Sequence, residues 1–83
     1  MLAEIDIQID RENYGDWIKI FIPYASDEQM FGILQNEQGA TVKKLKLTEG
    51  YNSIDISNLN CAFIHLKIET PYETIFKKLK LKL

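Results

Sequence analysis

The sequence has one cysteine, Cys61, and one histidine, His65. A lone cysteine closes no internal disulfide, and one cysteine with one histidine supplies no zinc ligand set. No apolar run approaches the roughly 18 residues of a membrane-spanning helix, so membrane insertion is not expected. Glycine-rich phosphate loops are absent, and Asp6, Asp10, Asp16 and Asp27 are scattered without the Asp-x-Asp-x-Asp-Gly spacing of a calcium loop. After Met1, the alternation of Leu2, Glu4 and Asp6 stands where a secretory leader would place a basic segment followed by an apolar one. Only four glycines and two prolines occur, too few for a low-complexity or disordered chain.

What is present is apolar mass, at 46% of residues against 27% charged, the balance of a globular chain. Eighty-three residues make one domain, 1–83, near the lower size at which a single core suffices without disulfides or metal. The net charge of −2 is unevenly spread. Residues 1–37 hold eight acids against Arg11 and Lys19, and residues 38–83 hold eight lysines against Glu49, Asp55, Glu69 and Glu73. Such a dipolar chain is a poor nucleic-acid ligand as a whole, so no nucleic-acid partner is expected.

The secondary-structure signal is alternation. Ala3, Ile5, Ile7 and Ile9 interleave with acids to form a first strand over 3–10, and Trp17–Ile22 forms a second with bulk on both faces, as in a central strand or one whose outer face a loop covers. Pro23 stops it. Residues 29–35 form a third strand, in which Gly32 marks a bulge or a close backbone approach. Asn36 to Gly39 turns the chain into a fourth strand over 40–47. There Val42 is out of phase with Leu45 and Leu47, which places a bulge near Lys43 and Lys44. Gly50 closes that strand. Ile54 and Ile56 make a short fifth strand, Ser57 to Asn60 a polar corner with Leu59 buried, residues 61–69 a sixth strand, and residues 74–83 a last one. With no helix-period stretch, the fold class is all-β, a small antiparallel β-sandwich of about seven strands, Ig-like. Its expected core is Ile5, Ile7, Ile20, Ile22, Ile33, Ile54, Ile56, Leu59, Ile64, Leu66 and Ile68.

A Ser-His-Asp arrangement would have to use His65, which sits mid-strand. Cys61 and His65, four residues apart along one strand, stand about 13 Å apart and form no nucleophile and base pair. With no catalytic constellation and no cofactor implied, the expectation is a non-enzymatic recognition domain.

The second half of the chain carries a more specific pattern. Phe31-Gly32-Ile33-Leu34-Gln35-Asn36-Glu37-Gln38-Gly39 is an apolar strand with a turn ending in glycine, and Gly50-Tyr51-Asn52-Ser53-Ile54-Asp55-Ile56-Ser57-Asn58-Leu59 is a Gly-x-Asn-x-Ile-Asp-Ile-Ser-x-Leu corner. Ala62 to Thr70 and the basic Phe76-Lys77-Lys78-Leu79-Lys80 follow. Together, over about residues 17–83, these resemble the C-terminal sorting domains of the bacterial type IX secretion system. Ala62 stands where that family usually has glycine, its aromatic at Ile64 is here one place earlier at Phe63, and its Pro-Asn-Pro lead-in is missing.

The resemblance implies a non-catalytic folded signal on an upstream cargo, recognised by outer-membrane secretion and attachment proteins. The cargo would pass through the periplasm to the cell surface or the medium. It also implies cleavage upstream of the domain and attachment of the cargo to lipopolysaccharide. Lys77, Lys78, Lys80 and Lys82 of the basic strand would be the recognition element, and Gly39, Gly50, Asn52, Asp55 and Leu59 the structural motif. Gly50 permits a turn, Asn52 or Asp55 bonds nearby main chain, and Leu59 plugs the end of the sandwich.

Two other readings stay open. One is a stand-alone interaction module working through a sheet edge, with an edge-strand homodimer among its forms. The other is a carbohydrate-binding accessory module in which Tyr14, Trp17, Tyr24 and Tyr72 supply stacking faces.

Overall fold

The computed structural model describes residues 4–10, 16–59 and 61–81. The chain is all-β: seven antiparallel strands in two sheets, as expected for a small β-sandwich, with no helix among the described residues. The strands are β1 (Asp6–Asp10), β2 (Trp17–Ile22), β3 (Met30–Gln35), β4 (Thr41–Leu47), β5 (Gly50–Asp55), β6 (Phe63–Glu69) and β7 (Thr74–Lys80). They fall into two compact units, Met1–Ser26 with Thr48–Leu59, and Asp27–Leu47 with Asn60–Leu83.

The first unit is a three-stranded sheet, β1-β2-β5. Trp17–Ile22 is central, the first of the two arrangements that its bulky faces suggest, with Ile20 opposite Ile7 on one side and Asn52 on the other. Ile18, Ile20 and Ile22 are fully buried, and Ile54 and Ile56 nearly so. Ile5 and Ile7, expected in the core, are only half-buried, because Ile7 lies on an edge strand flanked by one neighbour and Ile5 precedes the paired residues. Gly50 does not close β4. It opens β5, pairs with Ile22, and takes φ of 92°, a left-handed conformation that favours glycine.

The second unit is a four-stranded sheet, β4-β3-β6-β7. Met30, Leu34, Leu47, Ile64, Leu66, Ile68 and Leu79 are buried, all on one side of the pleat by the period-two alternation. Gly32 shares that side. A methyl group added there would meet the side chains of Leu45 and Leu47 at 3.4 Å, ordinary contact rather than an obligatory close approach.

The register shift lies elsewhere. Leu34 pairs with Lys43 and Gln35 with Thr41, leaving Val42 as the extra residue. The bulge therefore sits one residue before the expected Lys43 and Lys44, next to the turn. That turn is held by Asn36, whose Oδ1 accepts from the N–H groups of Gln38 and Ala40 at 3.0 Å each. Gly39 completes it at φ 84°.

Candidate interaction surface

The Gly-x-Asn corner resolves into specific bonds. Asn52 Oδ1 accepts from the Thr48 N–H at 2.9 Å, and its Nδ2 donates to the carbonyls of Thr48 at 2.9 Å, Gly50 at 3.2 Å and Ile20 at 3.3 Å. The amide thus ties the entry of β5 to its own turn and to the central strand. Asp55 Oδ1 accepts from Ser57 N at 2.9 Å and from Ser57 Oγ at 2.6 Å, which bends the chain out of β5. Leu59 N–H donates to the Ile56 carbonyl at 3.1 Å. Its side chain is half-buried rather than a buried plug, because residues 57–59 are held by this local turn. Gly39, Gly50, Asn52 and Asp55 are therefore accounted for by backbone geometry and hydrogen bonding within the fold.

The other side of the four-stranded sheet has a different character. Pairing places Lys46 opposite Phe31, Lys44 opposite Ile33, Lys67 opposite both Ile33 and Phe76, and Lys78 opposite His65. By alternation these side chains share one face, away from Leu34, Leu66 and Leu79. Lysine ammonium groups lie over aromatic rings in three places: Lys44 over Phe31 at 4.5 Å, Lys67 over Phe76 at 5.5 Å, and Lys78 over Phe63 at 4.4 Å from the ring centroids. Each such contact is worth about 0.5–1 kcal/mol at an exposed site, and it holds a long cationic side chain in place. Ile33 is buried although it lies on this face. It is flanked by Lys44 and Lys67, and lysine stems cover apolar surface while their heads stay in water.

Five lysines (Lys44, Lys46, Lys67, Lys78 and Lys80) stand on this face against one acid, Glu69. An open hollow of about 300 Å³ dips into it, walled by Gln35, His65, Lys67, Phe76 and Lys78, with Glu37 of the adjoining turn the one acid among its walls. The hollow offers cationic heads beside the face of a 72%-exposed phenylalanine, Phe76. That combination suits an anionic group carried on an apolar or planar body.

Of the four lysines expected to bind a partner, Lys78 and Lys80 are exposed on this face. Lys77 is also exposed but pairs with Leu66 and so alternates with them, on the leucine side of the sheet. Lys82 lies outside the described residues. Lys44, Lys46 and Lys67 were missed. Only the register that brings β4 and β6 beside β3 shows that they join Lys78 and Lys80.

No family model, curated protein or solved structure matches this chain.

Among the described residues, no three His, Cys, Asp or Glu side chains cluster as a metal site would. His65 is exposed, between Gln35 and Lys78. Cys61 is a half-buried free thiol ahead of β6 rather than within it. Of the aromatics considered for sugar stacking, Trp17 and Tyr72 are exposed, Tyr24 is half-buried, and Tyr14 lies outside the described residues.

Proposed function

We propose that this chain is a non-catalytic sorting domain of the type IX kind, a folded signal that outer-membrane secretion and attachment proteins read to export an upstream cargo. The sequence pattern of the corner and the final basic strand carries the family reading. The structural observation that favours recognition through that strand is the placement of β7. It is an edge strand of the four-stranded sheet, with Lys78 and Lys80 exposed side by side on one face. A strand so placed offers an unpaired backbone edge for strand addition and a cationic face for an acidic groove. The corner residues support the reading in a different way, by fixing the shape that a receptor would read.

The test is a reporter fused upstream of the domain in a host with a working type IX system. Charge reversal at Lys78, Lys80 and Lys82 to glutamate is expected to leave the purified domain folded, by circular dichroism and thermal melting, and to abolish export. Export and surface attachment at the wild-type level by a folded triple variant overturns this function for the strand. The lysines would then serve only to protect the edge from aggregation.

A further inference from the structure

The three-stranded sheet carries a face that is the counterpart of the lysine face. Its cross-strand rows run Asp6, Phe21, Tyr51; then Gln8, Lys19, Ser53; then Asp10, Trp17, Asp55. By alternation all nine side chains lie opposite Ile18, Ile20 and Ile54. Three acids stand there against Lys19, which is bonded to the half-buried Asp10 at 2.8 Å. Tyr51 is 78% exposed and Trp17 38% exposed, with Phe21 and Tyr51 rings 4.8 Å apart. Clustered exposed aromatics with a charged surround mark surfaces that bind other macromolecules.

The charges follow the same division. The unit containing β1, β2 and β5 holds seven acids against Arg11 and Lys19, and the unit containing β3, β4, β6 and β7 holds eight lysines against five acids.

The two faces also match in layout. On one, Asp10 and Asp55 flank Trp17 across three adjacent strands; on the other, Lys44 and Lys67 flank Ile33 across three adjacent strands. Two strand spacings separate the backbones in each case, about 9–10 Å.

We propose that the lysine face of one copy binds the acidic aromatic face of a second copy. The contact is between sheet faces, distinct from a strand-edge homodimer, and it is independent of the sorting reading. Because the two surfaces differ, the contact is heterologous. The attraction is between exposed charges and is weakened by salt.

Sedimentation velocity on the whole chain tests this with two charge-removing variants. Lys67→Gln with Lys78→Gln weakens the lysine face, and Asp6→Asn with Asp10→Asn weakens the acidic one. The wild type is expected to gain mass with concentration at low salt and to lose that gain at high salt. Each double variant alone is expected to associate at least tenfold more weakly. An equal mixture of the two is expected to form a one-to-one heterodimer, since each supplies the face that the other lacks. Should either variant melt early, Lys44→Gln with Lys80→Gln, or Asp6→Asn alone, replaces it. A wild type that stays monomeric at low salt overturns the proposal, as does association that neither variant weakens or a mixture that stays monomeric.

Discussion

At the scale of single residues, Asn52 does more than its place in a loop would suggest. One side chain accepts from Thr48 and donates to three carbonyls, so Asn52→Ala leaves several main-chain groups to water or to nothing. A loss of about 1–3 kcal/mol is expected by chemical denaturation. Asn52→Asp keeps the acceptor but turns a carboxylate oxygen toward those three carbonyls, and it should destabilise at least as much as the alanine variant.

Gly39 and Gly50 have open space where a methyl group would go, yet both have positive φ. The cost of alanine at either is then that of the backbone alone, about 1–2 kcal/mol, and asparagine, which tolerates this region better, should recover part of it. An alanine variant at Gly50 that melts with the wild type would mean that the φ is not held in solution. For Leu59, half-buried, truncation to alanine should cost about 1–2 kcal/mol, below the range for a fully buried leucine. A leucine between polar neighbours carries no period, and for that reason the sequence suggested a plug where the fold has a half-covered side chain.

At the scale of elements, alternation was a reliable guide because each strand has one buried side. Trp17–Ile22 was legible to the residue, and its central position was one of the two arrangements that bulk on both faces suggested. The bulge in β4 was legible as a phase change between Val42 and Leu45, but phase says only that a residue is extra, not which one. The turn at Asn36 decides it in favour of Val42. Deleting Val42 should therefore leave a regular hairpin and a folded protein. Deleting Lys44 instead turns the remaining residues of one end of β4 to the opposite face. Thermal melting should separate the two deletions clearly, and equal destabilisation would argue against the assigned bulge.

The lysine face was hidden from the sequence for a related reason. Local pattern shows that Lys44, Lys67 and Lys78 each point away from a buried face. It does not show which strands are neighbours, and only the pairing of β3 with both β4 and β6 gathers them.

At the scale of the whole molecule, the sheets are interleaved along the chain. β2 finds its second partner in β5, beyond the β3 and β4 hairpin, and β3 finds its second partner in β6, beyond β5. A chain cut after Leu59 keeps β1, β2 and β5 but leaves β3 paired with β4 alone. An isolated two-stranded hairpin is marginal in water, so hydrogen exchange on that fragment should show β3 and β4 unprotected. Full protection there would mean that β6 and β7 contribute little to holding β3.

The same interleaving has a kinetic side. Adjacent strands close quickly into hairpins, but joining β3 to β6 means bridging from Gln35 to Phe63, and such long closures make β-rich domains fold in milliseconds to seconds. A chain delivered N-terminus first, from a ribosome or through a pore, holds β3 with its β6 edge unpaired until the last two strands emerge. During that interval that edge is open to a chaperone, or to the wrong neighbour.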